Sequence, residues 1–381
     1  MSIRHLAIAA LLVAVVPTLA ACGGSSSGSS KASSEAEADI VNHKANPPIC
    51  QTTGPNGEKS TPITDFKLTP EQTKKIQAGH YTAAMAWHTS DEVTASVERG
   101  ADAAFKELGI EVVGSTNAEY QADKQSEQVR TILAKKPSIL LSLPVDPTST
   151  AAAYEAAAAA GTKLVFEDNA PEGFTKAGTN YVSVISSNQC QMGQQTAEAL
   201  ASAIGEEGEI GYIFHDADFY VTNRRDEAAK KTIEKYYPNV DISVEEGIAD
   251  PSKAEEVANA MLTKHPELDG IYVTFGEVAL GVLSALRNNG NTTTKIATMD
   301  LQEPLAIDMA NGGPTVAIVA EGLYEDGEAM AWAGALAAIG QTVPPFIISE
   351  ARTITKENLV QGYEESEHTE PPKGVMEALG G

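Results

Sequence analysis

From residue 81 onward, short apolar runs alternate with stretches whose apolar positions recur at helical spacing, the pattern of successive β/α units around a largely parallel sheet. Strands are predicted at 81–87, 111–114, 139–143, 163–166 and 181–185, with helices between the first four. A second series begins at 209, with strands at 209–214, 242–245, 270–274, 295–299 and 316–319 separated by helices such as 222–236, 252–265 and 277–289. The repetition predicts an α/β chain of two doubly wound parallel-sheet lobes in tandem. The alanine-dense stretch 150–161 spans about three helical turns and stops at a glycine, so it reads as a crossover helix and not as a membrane span.

The first 79 residues have a different pattern. Arg4 and His5 precede an apolar run over 6–16, too short for a stable bilayer anchor, and small residues follow. The string Leu19-Ala20-Ala21-Cys22 resembles the bacterial lipobox, in which the cysteine is acylated and becomes the new N-terminus. Residues 1–21 are therefore expected to be a lipoprotein signal peptide, with Cys22 lipidated and the protein held on the extracytoplasmic face of a bacterial cell membrane. The Gly/Ser run 23–30 suits a tether, and 22–79 as a whole reads as tether plus loop or packed-down arm.

About 360 residues remain without the leader, more than one core usually serves, which favours two lobes. The net charge of −25 opposes phosphate backbones and anionic headgroups, so nucleic acid is not an expected partner and the lipid is the expected membrane contact. With Cys22 acylated, Cys50 and Cys190 are left as a pair in an oxidising setting, either bridged or as two thiols. No phosphate-binding glycine loop, paired-histidine zinc motif or calcium loop occurs, and no cofactor or metal is expected.

In open parallel sheets, ligands bind beyond the carboxyl ends of the strands. Those ends carry Trp87 and Asp91, then Asp168 and Asn169, then His215 to Tyr220, and finally Phe275, Asp300 and Glu321. Carboxylates accept paired hydroxyl hydrogen bonds and aromatic rings cover the apolar faces of sugars, so the set suits a carbohydrate. Each residue has a plainer alternative: Asp91 as a helix cap, Trp87 and Phe275 as core. Asp168 and Asp300 each follow an apolar strand and precede polar residues, which directs them toward a cleft.

The order of elements, with Ser96-Val97-Glu98-Arg99-Gly100-Ala101, Leu164-Val165-Phe166-Glu167-Asp168, Ile185-Ser186-Ser187-Asn188, Leu262-Thr263-Lys264-His265-Pro266 and Glu277-Val278-Ala279-Leu280-Gly281, resembles the type I periplasmic binding proteins, the ribose-binding proteins in particular. The resemblance covers about 81–354. It implies two lobes that close on a small sugar or polyol about a hinge of three crossovers, without covalent chemistry, and a monomer that hands its ligand to the permease subunits of an ABC importer. It places the N-lobe at 80–187 plus 322–348, the C-lobe at 188–321 plus 349–365, and a mobile tail at 366–381. It also implies ligand contacts at Trp87, Asp91, Asp168, Asn169, Asn223, Phe275, Asp300 and Glu321. The chain departs from the ribose-binding pattern at Asn169 and Asn223, where arginines are usual, and at Glu321, where glutamine is. Asn223 is expected to face the ligand with Arg225 bracing the lobe, the alternative being a one-residue slip that brings in Arg224. A pocket of up to four carboxylates needs compensation, from polyol hydroxyls or from a cationic, amine-bearing solute. A tethered hydrolase, a sugar-responsive repressor and a ligand-presenting sensor are the competing classes.

Overall fold

The computed structural model describes residues 46–380, so the leader and Cys22 lie outside the described residues. A seven-stranded sheet is built from β1 (Thr61–Pro62), β2 (Thr82–Trp87), β3 (Glu111–Asn117), β4 (Ile139–Ser142), β5 (Lys163–Glu167), β6 (Ser183–Ser187) and β12 (Phe346–Ser349), in the order β1-β12-β6-β5-β4-β2-β3. A six-stranded sheet contains β7 (Gly208–His215), β8 (Val240–Ile248), β9 (Gly270–Val273), β10 (Lys295–Met299), β11 (Thr315–Ala320) and β13 (Arg352–Ile354), in the order β13-β11-β10-β9-β7-β8. All pairings are parallel except β11 with β13. Apart from β1, which has no counterpart, the two orders match strand for strand, so β5 and β10 hold equivalent places, as do β6 and β11. Strand β13 runs against its neighbour because the chain crosses directly from β12 into the other sheet. The three crossings between lobes follow Ser187, Ala320 and Ser349.

Helices cover both faces of each sheet, as buried apolar clusters on either side record. They begin where the sequence supplies caps. Asp91 accepts from the Thr94 amide to open α2 (Glu92–Leu108), and Gly109 closes that helix at φ 67°, a left-handed conformation that suits glycine. Along α2, Val97, Ala101, Ala104, Phe105 and Leu108 make the buried face, at the helical spacing that predicts it. The alanine-dense stretch forms α4 (Ala151–Ala159), a crossover helix as expected.

Both ends of the described residues are more ordered than their composition suggests. In the stretch expected as tether or arm, Thr69 and Gln72 form a capping box that opens α1 (Pro70–Gln77), and Ile63, Phe66 and Ile76 join the core of the N-lobe. Upstream, Cys50 is disulfide-bonded to Cys190 at the start of α5 (Gln189–Ala203), with Cα atoms 5.8 Å apart. The tail expected to be mobile instead folds back: α11 (Leu359–Ser366) is followed by α12 (Lys373–Ala378), whose Val375 is buried in the C-lobe core beside Ile307. A few apolar positions suffice to dock such a segment, and a composition rich in Glu, Pro and Gly conceals them.

Candidate functional site

Asp168 directly follows β5 and Asp300 directly follows β10, the equivalent strands of the two sheets. Both have left-handed backbones, with φ 59° and 64°. Few residues other than glycine tolerate that region, and aspartate is among those enriched there. The reversal takes each carboxylate out of the strand at its carboxyl end. Ser186 Oγ donates to Asp168 Oδ1 at 2.7 Å, which fixes the side chain against the end of β6.

Arg225 ties the end of β10 to that of β11 and lies within the field of Asp168. It lies in the second turn of α6 (Tyr220–Tyr236), is 5% exposed, and donates through Nη1 to Asp300 Oδ1 at 3.1 Å and through Nη2 to Glu321 Oε1 at 3.4 Å. Burial disfavours its charge, but Asp300, Glu321 and Asp168 more than offset that and hold the guanidinium protonated. The acids respond in turn. Burial is the main cause that raises Glu321 well above the usual carboxylate range, with Arg225 opposing it; Asp168 is raised by burial too, against the Ser186 hydrogen bond and Arg225. Glu167, 4% exposed, is pushed well above its ordinary value by burial and then by the neighbouring Asp168. The cluster is thus a set of partly neutralised acids around one fixed cation.

Arg225 thus braces the lobe as expected, from inside, through Asp300 and Glu321. Asn223 is exposed and, with Arg224, lines an open cavity, where Arg224 pairs with Glu227 at 3.1 Å. Trp87 is 2% exposed and packs in the N-lobe core, the plainer of its two readings, and its Nε1 has no hydrogen-bond partner. Asp91 serves as the cap of α2. Asn169 is 3% exposed, and its Nδ2 has no hydrogen-bond partner. Phe275, half-buried, packs on the C-lobe core and meets the edge of the His215 ring at 5.4 Å between centroids.

One aromatic residue escaped the sequence reading. Tyr120, after β3, is 55% exposed, and its ring meets His88 edge-on at 5.3 Å. Burial first, then Asp91, Glu277 and Asp300, raise its hydroxyl pKa, which places this N-lobe side chain in the field of C-lobe acids. Its signal was its place just past a strand end. The lobes also touch at the rim, where the Glu303 amide at the start of α9 (Glu303–Ala310) donates to Glu92 Oε2 at 3.1 Å.

The three crossings meet in a small buried polar knot. Ser187 and Ser349 donate to Asp326 Oδ2 at 3.2 and 3.0 Å, and their hydroxyls lie 2.9 Å apart. Asp326 belongs to α10 (Leu323–Ala338), the first helix after the middle crossing, and burial raises its pKa well above the ordinary value. No group of histidine, cysteine and carboxylate side chains among the described residues is arranged to hold a metal ion.

A family model described as periplasmic binding protein domain matches residues 83–342. The ribose import binding protein RbsB of Bacillus subtilis is 22% identical over 195 residues, 51% of this chain and 61% of that relative, so the match spans less than two thirds of the relative's length. Among solved structures, a solute-binding protein of an ABC transporter from Agrobacterium vitis with bound alpha-D-tagatopyranose is similar at a TM-score of 0.66 and 22% identity, over 73% of this chain and 96% of that one. A solute-binding protein from Mycobacterium smegmatis with bound glycerol gives 0.65 and 24%, over 74% and 96%. One from Bacillus halodurans with bound myo-inositol gives 0.64 and 20%, over 75% and 98%. At these identities the likeness is one of fold.

Proposed function

Because the chain belongs to the periplasmic binding protein domain family, whose members bind solutes and do not transform them, we propose that it captures one small neutral sugar or polyol between its lobes and delivers it to the permease of an ABC importer. The carrying observation is the Arg225 cluster, which places hydrogen-bond donors and acceptors together at equivalent strand ends of the two sheets. Carboxylates accept from neighbouring hydroxyls, the guanidinium donates to ring or hydroxyl oxygens, and hydrogen bonds to ionised groups contribute about 1.5–3 kcal/mol each. Asp168, Asn169, Asp300, Glu321 and Arg225 are the polar contacts of this reading, Phe275 and Tyr120 its aromatic cover, and Asn223 a rim residue. Arg225 already compensates the acids from within, which favours a neutral ligand over an amine.

Capture proceeds by rotation about the three crossings. The lobes of this reading are 80–187 plus 322–348 and 188–321 plus 349–365, with 61–79 added to the first and 366–380 spanning both. The chain acts as a monomer outside the cytoplasm, anchored by acylated Cys22. A ligand-presenting sensor uses the same capture step, and a permease or a sensor kinase encoded beside the gene separates the two.

A thermal-shift panel tests the ligand class. Neutral pentoses, hexoses and polyols are set against amine-bearing solutes, with residues 46–381 as the protein. A ligand at a hundredfold excess over its Kd stabilises by about 2.7 kcal/mol. A stabilising sugar or polyol is the expected result, and stabilisation by amines alone overturns the neutral-ligand reading.

A further inference from the structure

Beside the Arg225 cluster lies a cavity of about 440 Å³ with three walls of different origin. The N-lobe supplies Pro147 and Asn169, the C-lobe supplies Asp218, Tyr220, Asn223 and Arg224, and the arm that precedes β1 supplies Pro55. Its lining neighbours the cluster along the chain: Asn169 follows Asp168, and Asn223 and Arg224 precede Arg225.

The arm is held in place at both ends. On the C-lobe side the disulfide fixes Cys50, the Ile49 amide donates to Gln194 Oε1 at 2.8 Å, and Thr53 meets the Tyr220 hydroxyl at 3.2 Å. On the N-lobe side Asn56 Nδ2 donates to the Phe174 carbonyl at 3.1 Å, the Tyr181 hydroxyl donates to Glu58 at 3.0 Å, and Thr61 and Pro62 pair with β12. Pro55 is therefore part of a pinned wall, set between two anchors on opposite lobes.

The second observation is Asn169. Its side chain lines the cavity, is 3% exposed, and carries an amide donor with no partner. Buried donors are satisfied in most folded proteins, and leaving one unmade costs free energy. The cavity walls offer both donors and acceptors, and the volume falls within the range of small-molecule sites.

We infer that this cavity is an accessory subsite, walled on one side by the disulfide-pinned arm, and that it receives the distal part of a ligand longer than one sugar ring, a disaccharide or a glycoside. The inference rests on the carbohydrate reading and deepens it. Asn169 Nδ2 would donate to a hydroxyl or glycosidic oxygen of the distal unit, while the Arg225 cluster holds the first ring. Arg224 lies 5.6 Å over the Tyr220 ring and pairs with Glu227, which also lines the cavity, so the wall carries both signs of charge.

The test is a set of calorimetric titrations with D-glucose, D-galactose, D-ribose and myo-inositol beside maltose, lactose, melibiose and galactinol. The wild-type protein is compared with Pro55→Trp and with Asp218→Trp, two substitutions that fill the cavity from different walls, so that misfolding of one does not decide the matter. At least one two-ring ligand is expected to bind tenfold or more tightly than its single-ring component. Both fillings should weaken it tenfold or more and leave the single ring within threefold. Single rings that bind as tightly as every extended ligand, with fillings that affect neither selectively, overturn the subsite and leave sugar capture standing. Binding of none of the eight overturns the carbohydrate reading, and the subsite with it.

Discussion

Arg225 decides the electrostatics of the cleft. Its contacts with Asp300 and Glu321 turn a set of uncompensated acids into a held network, and breaking a buried pair costs more than the pair contributes. Arg225→Met is expected to lose about 3–5 kcal/mol of unfolding free energy in a denaturant titration. Adding Asp300→Asn and Glu321→Gln to it should recover most of that loss, because the orphaned charges go with their partner. A single variant as stable as the wild type would show that the acids do not depend on this cation. Sequence reasoning located Asp168, Asn169, Asp300 and Glu321 from their places after apolar strands. It expected Arg225 to brace the lobe from the face it shares with Ile233, and the pairs with Asp300 and Glu321 do so from inside. Of the two readings of Trp87, its burial favours core. In a sheet covered on both sides, a strand's last side chain is as readily under a helix as in the cleft.

At the scale of elements, the parallel strands and most helices were legible from period and punctuation. The agreement at 295–299 and near-agreement at 163–166 and 277–289 follow from strong apolar runs bounded by polar turns. What periodicity does not carry is how closely two helices approach. A Cβ on Gly193 of α5 would lie 1.9 Å from the Arg225 carbonyl oxygen, so the glycine lets α6 seat deeply enough for Arg225 to reach Asp300. Gly100 and Gly327 do the same for α2 and α10, where a Cβ on either would lie 2.0 Å from the other helix's carbonyl oxygens. Short terminal elements were illegible too. A two-residue strand and an eight-residue helix owe their place to tertiary docking, and a loop-like composition does not reveal it.

At the scale of the whole molecule, the two lobes share one strand order, three crossings and two terminal braces. The arm braces one side, and on the other the Glu367 carboxylate pairs with Arg99 at 3.2 Å while His368 stacks on Tyr324. The hinge is acidic and buried, which gives stability a pH dependence. Glu167, Glu321 and Asp326 keep their protons to higher pH in the folded state than in the unfolded chain, so folding takes up protons and stability falls as pH rises above the unfolded carboxylate range. His88, lowered to about 4 mainly by burial, and His215, also lowered by burial, act oppositely, adding stability as pH rises toward 6.5. The stability contributed by these acids is fully present below the unfolded carboxylate range and is lost as pH rises through their raised folded values, and Asp326→Asn should flatten that loss; a variant with the pH dependence of the wild type would contradict the buried-acid account. The measurement that bears most directly on solute capture is a pair of calorimetric titrations, wild type and Asp300→Asn, with the sugar or polyol that stabilises the protein most. Saturable one-to-one binding by the wild type, weakened a hundredfold or more in Asp300→Asn at a temperature where circular dichroism shows both proteins folded, is the predicted result. Equal affinity in the two proteins would place the ligand elsewhere and contradict the account.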